Sequence, residues 1–92
     1  MAEIVRTESV LGGDPRIEGT RIGVLHVYEL AAQGAHPPVD VADQLDISLG
    51  DVYSALAYYH ENPDEMRAVR AEHEAAEATL REESLSPPEP AK

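Results

Sequence analysis

The sequence predicts a mainly helical domain, in which a helix-turn-helix unit follows a short N-terminal β-arm and precedes a long C-terminal helix. In residues 38–60, apolar side chains recur at spacings of three and four, the pattern of two short amphipathic helices. Residues 3–22 hold short strand-like segments separated by turns that contain glycine and proline. Beyond residue 62, a stretch rich in Ala, Glu and Arg indicates one long helix.

The β-arm is predicted from residues 3–7 and 16–18, two short segments with a Gly-Gly-Asp-Pro turn between them. Side chains alternate across a strand, so Ile17 should face the core while Arg16 and Arg21 face solvent. Exposed arginine is ordinary on protein surfaces. The arm therefore either caps the helices or supplies two cations to a binding surface.

The first helix is predicted over residues 24–33, where apolar residues form one stripe. Gly34 follows in the place where a left-handed C-terminal cap belongs. Pro37 and Pro38 then prevent the helix from continuing, and Pro38 suits the first turn of the next one.

The helix-turn-helix unit occupies residues 38–60. Ser48, three residues before Asp51, is the predicted N-cap of its second helix, because a serine oxygen accepts hydrogen bonds from free backbone N–H groups. Ile47 just before the cap should pack against Val52 as a hydrophobic staple.

Asn62 and Pro63 indicate the start of the long helix, which is predicted over about residues 63–83. The proline-rich end of the chain is predicted to be disordered. The predicted division is therefore residues 1–61 as the β-arm plus helix-turn-helix domain, residues 62–84 as a partner-binding helix, and residues 85–92 as a disordered tail.

A stripe of apolar and weakly polar residues follows the long helix with the spacing of an a/d seam. Charged residues cover its other faces, so the stripe predicts a groove on another protein or a dimer contact. The alternative is that the helix folds back on its own domain. The stripe consists of Met66, Val69, His73, Ala76 and Leu80.

Charge argues against a simple DNA-binding protein. Eighteen acidic residues oppose seven basic ones, giving a formal net charge of −11, and residues 38–60 contain no Lys or Arg. DNA binds proteins largely through cations at its phosphates, so this chain should repel it. Either the host is salt-loving and the charges are screened, or the target is another protein.

Enzyme activity is not predicted. The four histidines are scattered, no phosphate-binding glycine loop is present, and the absence of cysteine excludes disulfides and thiolate metal sites. We expect no metal and no cofactor. No apolar run is long enough to span a membrane and no secretory signal precedes the domain, so a cytoplasmic protein is expected.

Two segments resemble domain-of-unknown-function family 433. GDPRIEGTRIG at residues 13–23 is similar to the family's Gly-x-Pro-x-Ile-x-Gly-Thr-Arg-Ile-Pro-Val signature, with Gly23 where the family usually has Pro. Asp51-Val52 with Ala-Leu-Ala-Tyr-Tyr at residues 55–59 matches a second marker. The resemblance implies a winged-helix-like, helix-turn-helix antitoxin of the type found in VapBC pairs, whose partner is a PIN-like ribonuclease toxin.

Two functions follow from these features. In the first, the domain binds operator DNA as a regulator, as a homodimer that doubles a weak set of contacts; the candidate residues are Arg16, Arg21, Tyr53 and Ser54. In the second, which uses the negative charge, the long helix neutralises a toxin; the candidate residues are Met66, Arg67, Val69, Arg70, His73, Ala76, Leu80 and Arg81. A structural dimerisation or interaction module is the third alternative.

Overall fold

The predicted β-arm, helix-turn-helix unit and long last helix are present in the computed structural model, which describes residues 3–85. The predicted fold class, mainly helical with a short β-arm and a long last helix, is confirmed. The predicted tail lies, from residue 86 onward, outside the described residues. The elements are β1 (Ile4–Val5), β2 (Arg16–Ile17), α1 (Val24–Tyr28), α2 (Pro38–Leu45), α3 (Leu49–Glu61) and α4 (Pro63–Leu85).

The β-arm is an antiparallel pair in which Ile4 lies opposite Ile17 and Val5 opposite Arg16. Both strands are shorter than predicted, since each has only two residues. Ile17 is buried in the core, as the alternation predicted. Thr20 closes the following turn, because its hydroxyl donates to the Ile17 carbonyl (2.8 Å) and accepts from a backbone N–H.

The end of the first helix differs from the prediction. After α1 the chain continues as a π-helical turn, Glu29–Gln33, in which the Gly34 N–H donates to the Glu29 carbonyl five residues back. Gly34 is not left-handed (φ −82°), whereas Ala35 is (φ 57°). The π-turn adds one residue to the last turn, so the left-handed position falls one residue later than an α-helical end predicts.

The helix-turn-helix unit forms as predicted. Ser48 caps α3 with a reciprocal capping box, in which its hydroxyl accepts from the Asp51 N–H (3.0 Å) and the Asp51 carboxylate accepts from the Ser48 N–H (3.3 Å). Asp46 ends α2 in the left-handed conformation, with φ 58°. Ile47 is partly buried and packs against the core, of which Val52 is a member. Both residues of the predicted staple therefore lie in one hydrophobic cluster.

The hydrophobic core lies where α1, α2 and α3 meet, and the start of α4 completes it. The core therefore extends past the predicted boundary at residue 61. Tyr28 and Tyr59 stack at one side of it, with ring centroids 3.6 Å apart. The buried apolar residues of the core are Ile17, Val24, Leu25, Val27, Val41, Ala42, Val52, Ala55, Met66 and Val69.

Candidate protein-binding surface

The first two turns of α4 are part of the domain. Met66 is 1 % exposed and Val69 is 3 % exposed, both in contact with the chain's own core. The prediction that these two residues form a surface for a partner is therefore wrong. Burial of each large apolar side chain contributes about 1.5–3 kcal/mol, which the domain itself gains by folding α4 back onto α1 and α3.

A polar network fixes the start of α4. The Glu65 carboxylate accepts from the Arg6 guanidinium and from the Tyr58 hydroxyl, so it links the β-arm, α3 and α4. The Arg6 Nε group also donates to the Gly13 carbonyl at 2.5 Å. No local sequence pattern indicates this network, because Arg6 and Glu65 are 59 positions apart and only the fold brings them together.

Tyr58 should make stability depend on pH above neutrality. Burial, and then the hydrogen bond to Glu65, raises the pKa of Tyr58 to about 12. The unfolded chain loses this proton near pH 10 and the folded chain keeps it, so the stabilising effect is complete below about pH 10 and is lost as pH rises to about 12. We expect the free energy of unfolding of Tyr58→Phe to depend less on pH between about pH 10 and 12 than that of the unaltered chain. Urea melts across the range measure it, and an unchanged slope would contradict the assignment.

The other charged candidates on α4 already have contacts within the chain. Arg67 pairs with the Asp64 carboxylate at 2.7 Å, and Arg70 donates to the Tyr59 hydroxyl at 3.3 Å. The His73 ring nitrogen Nε2 lies 2.5 Å from the Asp14 carboxylate, which connects α4 to the turn after β1. Arg70 and His73 therefore connect α4 to α3 and to the turn before β2, whereas the Arg67–Asp64 pair is exposed and lies within α4. Arg81 lies farther along the helix than the other predicted arginines.

Beyond residue 70, α4 projects from the core, although His73 still contacts Asp14. Every residue from 71 to 83 is exposed, a stretch of about 20 Å at the helical rise of 1.5 Å per residue. We call this stretch the free end of α4. Leu80 is 63 % exposed there, and Ala76 lies one turn before it on the same side. Five glutamates and one arginine make the free end strongly acidic.

The predicted DNA contacts are not assembled. The Arg16 guanidinium donates to the Thr20 carbonyl (2.9 Å) and to the Thr7 hydroxyl (3.0 Å), so it stabilises the β-arm. Ser54 is only 6 % exposed, because it lies on the core side of α3. Burial contradicts the prediction that Ser54 contacts DNA, and Arg16 is engaged within the β-arm, where its contact with DNA stays a prediction. Tyr53 (54 % exposed) and Arg21 remain on the surface.

Two clefts lie between the start of α4 and the front half of the chain. The first, about 290 Å³, is mainly apolar, and it is lined by Leu11, Asp14, Pro15, Gly23, Val69 and neighbouring residues. The second, about 320 Å³, is polar, and it is lined by Glu29, Gln33, Arg70, Glu74 and Glu77. Leu25 and His73 line both clefts, so the two adjoin. In residues 3–85 no group of three or more His, Asp or Glu side chains could hold a metal ion.

The model of a family described as "Protein of unknown function (DUF433)" matches residues 4–59, more than half of the chain. The chain belongs to this family. The DUF433 match covers the β-arm, α1, α2 and most of α3 and ends before α4, although Met66 and Val69 of α4 complete the core. No curated protein and no solved structure matches the chain. None of the helices in the described part is long and apolar enough to cross a membrane.

Proposed function

We propose that this DUF433 protein is an antitoxin-like binding protein that neutralises a PIN-like ribonuclease toxin through the free end of α4. The observation that carries the proposal is the exposure of every residue from 71 to 83 on a helix whose start is fixed in the core. Most helical stability in proteins comes from packing an amphipathic face. Near its start the free end contacts its own domain through His73 and Asp14, and its remaining described side chains are exposed, so a partner groove supplies the packing that they lack.

The free end has the groups that such a toxin requires. Leu80 and Ala76 offer an apolar line for a groove, and the exposed Arg81 can pair with carboxylates that would otherwise hold a divalent metal. The glutamates on the remaining faces suit the basic path along which a ribonuclease binds RNA. Binding here would block the enzyme without any catalysis by the antitoxin.

Operator binding receives less support from the geometry. The exposed face of α3 offers Tyr53 for base contacts, and the helix-turn-helix segment contains no Lys or Arg for phosphates. Homodimerisation, which would double these contacts, remains a prediction.

A chain that ends at residue 70 tests the proposal. It keeps Met66 and Val69 in the core, and the described residues that it loses, 71–83, are all exposed, so we expect it to stay folded. We expect it to lose binding to the protein encoded by the neighbouring reading frame, measured by co-purification and calorimetry against the full chain. Binding of the shortened chain at full affinity would refute the assignment to the free end.

A further inference from the structure

The two adjoining clefts differ in chemistry in a way that specifies a ligand. One is an apolar pocket beneath the Leu11–Gly13 turn, and the other is an acidic trough between α4 and the π-turn after α1. We call them the apolar cleft and the acidic cleft. Since Leu25 and His73 line both, a single bound segment can occupy the two clefts together.

We propose that the two clefts form a docking site for a polypeptide segment with a large apolar side chain beside a Lys or Arg. The apolar side chain enters the apolar cleft and the cation enters the acidic cleft. This inference rests on the proposed function, since it names the chemistry of the partner segment that lies against the start of the free end of α4.

The size and lining of the apolar cleft determine the first part of the ligand. A cavity of about 150 Å³ lined by aliphatic side chains is enough to bind benzene. The apolar cleft, at about 290 Å³, therefore accommodates one Phe or Leu side chain. Its carboxylate, Asp14, is already in contact with His73, so the remaining wall presents mainly carbon to a ligand.

Charge determines the second part. The acidic cleft holds Glu29, Glu74 and Glu77 against one cation, Arg70, whose guanidinium donates to the Tyr59 hydroxyl. The three carboxylates are on exposed residues, so they are accessible to a cation from outside. Opposite charges on two binding surfaces increase the association rate and favour the correct partner. The phosphates of DNA or RNA would be repelled by this cleft.

The first experiment uses the full chain with nitrogen-15 label and short Gly/Ser peptides as probes. A peptide with Phe between Lys residues should shift the amide signals of Gly23, Leu25 and Glu74. Peptides with Phe between Glu residues, or with Ala between Lys residues, should bind at least about tenfold more weakly, since each lacks one half of the recognition. Equal binding of the three peptides, or no binding of the first, would overturn the proposal.

Variants of the chain separate the two clefts. Glu74→Lys with Glu77→Lys reverses charge on exposed residues, and should weaken binding of the Lys-Phe-Lys peptide about tenfold or more. Gly23→Leu fills the apolar cleft without straining the backbone, since φ is −80° and an added Cβ would lie 3.6 Å from the Leu11 side chain. It should abolish the Phe preference while the melting temperature shows that the domain stays folded.

The matched control is Asp40→Lys with Asp43→Lys, which makes the same change in net charge on exposed positions of α2. We expect this control to leave peptide affinity within about twofold of the unaltered chain in moderate salt, because exposed charges more than a Debye length apart are screened. Equal weakening by both reversals would overturn the proposal, because general attraction between an acidic protein and a cationic peptide would then explain binding.

The outcome for this site is separable from that for the proposed function. If the neighbour-encoded protein binds the full chain and the Glu74/Glu77 reversal leaves that affinity unchanged, the docking site is refuted and the antitoxin proposal stands. If the peptide binds as described while the neighbour-encoded protein does not bind at all, the antitoxin proposal is refuted and the docking site stands.

Discussion

A chain that ends at residue 61 is expected to be unfolded or only partly folded at room temperature. It lacks Met66 and Val69, which are buried in the core, and Glu65, which joins the β-arm to α3. Two large apolar side chains contribute about 3–6 kcal/mol together by burial. Small domains are stable by about 5–15 kcal/mol in total, so this loss, together with that of the Glu65 network, is comparable to the whole stability of a domain at the lower end of that range. Circular dichroism and urea titration measure it.

The chain that ends at residue 70 is the control for this deletion. The 70-residue chain retains Glu65, Met66 and Val69, and residues 71–83, which it lacks, are all exposed. It loses the His73–Asp14 contact at the surface, so its urea midpoint should lie only slightly below that of the full chain. Met66→Ala in the full chain isolates one contact, and should reduce the free energy of unfolding by about 2–5 kcal/mol. Cooperative unfolding of the 61-residue chain at the full-length midpoint would contradict the assignment of α4 to the core.

Leu80→Glu is expected to weaken binding of the neighbour-encoded toxin about thirtyfold or more. Leu80 is the large exposed apolar side chain of the free end, and a central apolar contact in an interface is worth about 2 kcal/mol or more. A carboxylate at this position would be buried in the groove without a partner, which adds a desolvation penalty. Calorimetry or biolayer interferometry on purified proteins measures the change.

Thr79→Glu provides the matched control for Leu80→Glu. Thr79 is the adjacent exposed residue, about 100° around the helix, and its hydroxyl donates to the Ala75 carbonyl. We expect this variant to bind within a few-fold of the unaltered chain. Substitution of Val69, which has the same seam spacing, cannot test the interface because Val69 is in the core. If Thr79→Glu and Leu80→Glu weakened binding equally, added charge and not the apolar line would be responsible.

The helix-turn-helix unit was predictable because its signals are local. Ser48 and Asp51 form their capping box within four residues, and the apolar spacing of α2 and α3 is that of the observed helices. The helix after residue 62 was equally clear from its composition, and it runs to Leu85. The end of α1 was less predictable, because the π-turn that moves the left-handed position to Ala35 has no distinct pattern in the sequence.

The candidate sites depend on contacts between residues that are distant in the chain, and the sequence alone did not predict these contacts. Apolar residues at spacings of three and four indicate a helix face that becomes buried, but the spacing does not distinguish burial in the chain's own core from burial against a partner. Met66 and Val69 face the core while Leu80 faces solvent, because the body of the protein is too short to cover the whole helix. Arg16 was expected to reach a ligand, yet its hydrogen bonds close the β-arm.

By itself, the sequence determined the fold class, the capped helix-turn-helix, the long last helix and the strong negative charge. Each of these depends on neighbours along the chain or on composition alone. Only the tertiary structure decided where α4 changes from a core helix to a free one, which polar side chains fix its start, and that an apolar cleft adjoins an acidic one. Those features arise where residues about 59 positions apart meet, as Asp14 meets His73, and such contacts exist only once the chain has folded.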